Sequence, residues 1–190
     1  MSMLTAAFAD PVLDAQRCFR AVLDAMSRPG QVHTISGVEP PTPLGVAAAA
    51  VLLTVADHET PMWLGTDIAS VRPWLEFHCG SPVVADPSDA TFALSIGLPD
   101  LGAFPAGSHE APEASATLIV QLPALEGGPT LRLTGPGIRA DATIAPMGLP
   151  PDFVAQWSRN RALFPAGVDL VLCAGDRLAA FPRTLSIAEV

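Results

Sequence analysis

The chain has 190 residues, a hydrophobic fraction of 49 % and a formal net charge of −9. That length and apolar content fit one domain with a full core and exclude disorder, while the acidic balance argues against nucleic acid or an anionic membrane as a partner, since both need clustered basic charge. Lysine and tyrosine are absent, which excludes lysine Schiff-base chemistry and a phenol acid, and leaves arginine forks, helix N-termini or backbone amides to meet any anion.

Asp10-Pro11 reads as a helix start, with Asp10 as N-cap, and Pro29-Gly30 as its stop. Between them Ala15, Cys18, Phe19, Val22 and Met26 recur at helical spacing and form the expected inner face. Gln31 to Ser36 reads as a short strand, and the turn Glu39 to Pro43 is expected to cap a second helix through Thr42-Pro43. The run Leu44 to Ala56 is apolar on every side, so it reads as a core helix between layers; at 13 residues it is too short to span a bilayer, which takes about 20.

Pro61 to Gly65 is a strand and Ser70 to His78 a short helix ended by Gly80-Ser81-Pro82. Val83 to Ala85 and Thr91 to Ser95 are strands around the turn Asp86 to Asp89. Gly97 to Pro112 has no periodicity and reads as the longest loop. Strands follow at Ala116 to Leu122 and Thr130 to Thr134. Pro150 to Phe164 is then a helix with Phe153, Val154, Trp157 and Leu163 inside, and Asp169 to Cys173 with Arg177 to Phe181 a closing hairpin. The expected fold is a single α/β domain over residues 1–190, a layered mixed sheet with flanking helices.

No motif supplies a convincing catalytic set. Gly135-Pro136-Gly137-Ile138-Arg139-Ala140 matches a dinucleotide fingerprint in letters, but Pro146, Pro150 and Pro151 deny it the long helix it must open, so a structural glycine turn is expected. Asp57-His58-Glu59 is rich in ligand types, yet three consecutive side chains diverge. His78 beside Cys79 is weighed as an activated thiol against a buried one, and the buried thiol is the stronger reading. Ser108-His109-Glu110 carries triad residue types as mere neighbours, and Glu113 in the same loop is a candidate polar contact. Arg132 and Arg183 lie on or beside strands, where a half-buried guanidinium needs an anion, from a ligand or a neighbouring carboxylate. The three cysteines, Cys18, Cys79 and Cys173, form no Cys-x-x-Cys pair, so neither a disulfide framework nor structural zinc is expected. The opening MSMLTAAFAD lacks the pattern of a secretory signal, and a cytoplasmic location is expected.

Six collinear segments resemble one family, the PhnH subunit of the bacterial carbon-phosphorus lyase system. They are Asp14 to Gly30, Val51 to Leu64, Phe77 to Val84, Ala111 to Leu122, Leu131 to Ile138, and Phe164 to Leu172 with Phe181 to Thr184. Ser115 stands where the family usually carries glycine, and a left-handed backbone there would strain it. The resemblance implies a fold similar to the large domain of pyridoxal-phosphate-dependent transferases but without that cofactor's site. It implies a homodimer when isolated, and membership with other lyase subunits in the assembly that moves the ribose triphosphate of ATP onto an alkylphosphonate with release of adenine. It settles no catalytic residue and implies no cofactor or metal. Asp57, His78, Glu113, Arg132 and Arg183 are the matched polar positions, carried over as contacts with ligand or partner. The alternative is a stand-alone enzyme holding a phosphorylated or phosphonate substrate in an arginine-lined loop.

Overall fold

Helix α1 (Pro11–Ser27) begins where the Asp10 side chain accepts a hydrogen bond from the Leu13 amide, with Pro11 in the first turn. The computed structural model describes residues 7–190, so most of the segment read for a signal lies outside the described residues. Cys18 and Ala25 are buried, and Ala15, Val22 and Met26 pack against the same core. Phe19 departs from the expected inner face: it is 47 % exposed, in line with Val12 and Leu23, because the apolar arc of the helix is wider than the surface that covers it.

β1 is confined to His33–Thr34. Helix α2 (Val46–Val55) has Ala47 to Leu52 all buried and packs against both α1 and the sheet. Its cap is Gly45 and not the Thr42-Pro43 pair, whose peptide bond is cis. The Gly45 amide is instead satisfied by the Gln121 side chain, whose amide group donates in turn to the Pro43 carbonyl. β2 (Met62–Leu64) leads into a 3-10 turn (Thr66–Val71) and helix α3 (Arg72–Cys79), so the third helical segment starts earlier than its hydrophobic pattern suggests. β3 (Val83–Val84) and β4 (Phe92–Ile96) follow. The long loop is ordered by 3-10 turns at Leu101–Ala103 and Pro112–Ala114.

β5 (Thr117–Gln121), β8 (Asp169–Ala174) and β9 (Arg177–Phe181) form the middle of a seven-stranded sheet in the order β1-β9-β8-β5-β4-β2-β3. β8, β5, β4, β2 and β3 run parallel; β9 runs against β8, and β1 against β9. Leu118, Ile119 and Val120 are all fully buried, as a strand covered on both faces requires. Leu94, Ile119 and Val171 face α1, α2 and α3, whereas Leu118, Val120, Leu170 and Leu172 face the opposite layer.

That second layer corrects the single-sheet expectation. β6 (Leu131–Thr134), β7 (Ala142–Ile144) and β10 (Ser186–Glu189) form a separate antiparallel sheet, β10-β6-β7. β6 alternates, with Leu131 and Leu133 buried and Arg132 and Thr134 exposed, so one face is covered and the other open. Helix α4 (Phe153–Arg161) sits beside it, burying Phe153, Trp157 and Asn160. Trp157 donates its indole N–H to the Leu185 carbonyl at 2.8 Å. Leu163 lies beyond the helix and is half exposed, contrary to the inner-face assignment.

Candidate functional site

Arg183 follows β9 and lies beside Asp169, the first residue of β8. Its Nε donates to both Asp169 oxygens, at 3.2 and 3.1 Å, and its backbone amide donates to Oδ1 at 2.7 Å. Nη2 donates to Asp169 Oδ2 and to the Ser115 hydroxyl, and Nη1 to the carbonyls of Pro112 (2.8 Å) and Pro165 (3.5 Å). All five guanidinium N–H groups thus point at protein acceptors. With side-chain exposures of 16 % and 18 %, the pair is largely desolvated, and the multiple bonds offset that cost. Ser115 has φ −78°, ordinary extended backbone, so serine is unstrained there and its hydroxyl serves the arginine.

Glu113 stands exposed on the short turn that Arg183 anchors. Asp57 is part of a local turn: its Oδ1 accepts from the Glu59 amide at 2.9 Å and from the Thr60 hydroxyl at 3.2 Å. The Thr60 carbonyl then accepts from the buried Ser81 hydroxyl, which ties this turn to the corner after α3. His78 lies on α3 at that corner, with ring centroids 4.7 Å from Trp74 and 4.9 Å from Phe77.

These four positions share one location. Asp57 precedes β2, His78 precedes β3, Glu113 precedes β5, and Arg183 binds the first residue of β8. They therefore lie along the amino-terminal edge of the parallel strands, spread from β8 to β3. Arg132 is set apart in the small sheet, opposite Thr143 and Ala188, in a shallow crevice with Asp141.

The thiol weighed at His78-Cys79 does not have the properties of a nucleophile. Burial pushes Cys79 up to about 11, and its Sγ lies 3.8 Å from the Leu52 carbonyl. Burial also raises Cys18 and Cys173. Gly137, in the fingerprint-like stretch, has φ +83° and packs so closely that an added Cβ would fall 1.9 Å from the Ser27 carbonyl oxygen. The glycine lets two backbones meet. Among the described residues no group of three or more His, Cys, Asp and Glu side chains is arranged to hold a metal ion. The sequence does not reveal the roles of Asp169 and Ser115, which appear only when residues 112–115 and 165–169 converge on Arg183.

The family described as bacterial phosphonate metabolism protein (PhnH) matches residues 6–188. The chain belongs to the PhnH family. One relative, from Rhizobium meliloti (strain 1021), is named alpha-D-ribose 1-methylphosphonate 5-triphosphate synthase subunit PhnH; it is 43 % identical over 187 residues, covering 95 % of this chain and 94 % of its own. A second, from Stutzerimonas stutzeri, is named putative C-P lyase subunit protein HtxG and is 34 % identical over 174 residues, covering 90 % and 85 %. Within this PhnH fold the matched polar positions thus divide into an edge row of four and an outlying Arg132.

Proposed function

We propose that this protein is a subunit of a carbon-phosphorus lyase assembly, taking part in transfer of the ribose triphosphate of ATP to alkylphosphonate with release of adenine. The observation that carries the reading is near-full-length similarity to two proteins named as subunits, joined to a fold in which the largely buried Arg183 is spent on internal bonds. The chain's part in the assembly is structural or auxiliary. Its amino-terminal strand edge, with Asp57, His78 and Glu113, is the docking edge for sister subunits. Arg132, on the open face of the small sheet, is a second contact for ligand or partner.

A homodimer in isolation and a cytoplasmic location belong to the same reading. The exposed stripe Val12, Phe19 and Leu23 on α1 supports the homodimer, since an apolar helix face can pair with its own copy about a two-fold axis. No helix among the described residues is long and apolar enough to cross a membrane. Kinship with the large domain of pyridoxal-phosphate-dependent transferases is likewise proposed; lacking lysine, the chain has no amine side chain with which to bond that cofactor.

Co-expression with the sister subunits followed by size analysis tests the assembly. Co-migration at stoichiometric ratio is expected, and a chain that stays alone under every condition overturns the reading.

A further inference from the structure

Among the parallel strands of the main sheet, the order in which the chain adds them reverses at one place. From β2 the chain passes through α3 to β3 on one side, then returns past β2 to β4 and continues through β5 to β8 on the other. The loops leaving the carboxyl ends of the adjacent strands β2 and β4 therefore part in opposite directions. In open parallel sheets such a divergence opens a crevice, and ligands are held there. In this chain a crevice of about 200 Å³ lies at that place, lined by Trp63 and Gly65 to Asp67 from β2, and by Ser95 to Pro99 from β4. It is at the strand end opposite to the row formed by Asp57, His78, Glu113 and Arg183.

We propose that this crevice binds the ribose of a ribonucleoside, with Asp67 accepting hydrogen bonds from the sugar hydroxyls and Trp63 lying along the base. No arginine or histidine lines the crevice, so a phosphate or phosphonate would face the Asp67 carboxylate without a counter-charge. Asp67 and Thr66 are exposed, and among the described residues neither side chain is engaged in an ion pair or hydrogen bond. A vicinal diol satisfies a carboxylate of this kind with two parallel O–H donors. The Ser95 hydroxyl donates to the Gly97 carbonyl at 2.8 Å, which leaves its oxygen free to accept. Trp63 is half-buried and braced edge-on by Phe104, with centroids 5.4 Å apart at 79°, so its ring is a fixed wall. The volume is below the roughly 300 Å³ at which drug-sized pockets begin, which suits a sugar with the base resting outside. The choice of a ribonucleoside rests on the proposed transfer from ATP, and the test on the isolated chain keeps the two separable: assembly with sister subunits but no saturable adenosine binding overturns the crevice site alone.

Adenosine titrated into the full chain is followed by intrinsic fluorescence and by calorimetry. Trp74 and Trp157 are 1 % exposed, so a change in emission reports Trp63. A saturable response is expected, weakened about tenfold in Asp67→Asn and for 2′,3′-dideoxyadenosine on the unmodified chain, the scale of losing a hydrogen bond to a charged group. Absence of saturable binding, equal binding of the dideoxy compound, or tighter binding of methylphosphonate than of adenosine would overturn the proposal. The dideoxy comparison needs no variant, so it holds whatever Asp67→Asn does to folding.

Discussion

Arg183 and Asp169 join the end of β9 to the start of β8 through both the guanidinium and the Arg183 backbone amide, and the same guanidinium gathers the carbonyls of Pro112 and Pro165. Removing one partner leaves the other charged and desolvated. Asp169→Ala is expected to destabilise the chain by about 3 kcal/mol, and Ser115→Ala by about 1.5 kcal/mol, since only one bond to a charged group is lost. Urea unfolding of the two variants measures both, and near-neutral values would remove the cluster from the account.

The alkaline limb of stability rests on the thiols. The chain has neither lysine nor tyrosine, so cysteines are the side chains that titrate near pH 9 to 11. Cys79 keeps its proton in the folded state up to about 11, whereas its ordinary value is 9.0. Between these values the unfolded chain releases a proton that the folded chain holds, so stability falls as pH rises, by about 1.4 kcal/mol per pH unit for each such thiol. Unfolding measured from pH 8 to 11 should show this slope, and Cys79→Ala should reduce it.

Two glycines with similar backbone angles should respond differently to alanine. Gly137 (φ +83°) abuts the Ser27 carbonyl, while Gly97 (φ +75°) opens onto empty space. Gly97→Ala carries only the conformational cost of about 1 kcal/mol, and Gly137→Ala is expected to exceed it by at least about 2 kcal/mol because the backbones must separate. Thermal melts compare them directly.

Part of this fold was legible in the sequence, and the limits have physical causes. The Asp10 cap and the apolar runs of β5 and β8 are local signals, and each marks the element observed. The division into two sheets is not local: β6 finds β10 more than 50 residues later, and the short strands β7 and β10 gain their identity from that pairing. Phe19 shares the helical period of Cys18 and Val22, and periodicity cannot say how much of a wide apolar arc a neighbour will cover. Asp57, His78 and Glu113 stand out as polar residues in matched segments, but their common edge emerges only from the strand order. The switch-point crevice has no sequence signature at all, since Gly65-Thr66-Asp67 and Ser95-Ile96-Gly97 become neighbours through the parallel pairing of β2 with β4.

The α1 stripe offers a test of self-association. Phe19→Glu places a charge on an exposed apolar face, so the isolated chain should fold unchanged. Its dimer dissociation constant should rise about a hundredfold, corresponding to two phenylalanine burials lost across a two-fold axis. Sedimentation equilibrium of the variant and the parent chain reads this shift; identical constants would place the dimer surface elsewhere.

We propose that this PhnH-family chain joins a lyase assembly through the amino-terminal edge of its parallel strands. Amide hydrogen exchange of the isolated chain, compared with the chain assembled with its sister subunits, measures this most directly. The account predicts slowed exchange at residues 57–60, 78–82 and 111–116 on assembly, with residues 65–67 and 97–99 unchanged. Protection confined to residues 65–67 and 97–99, or no assembly to measure, would contradict it.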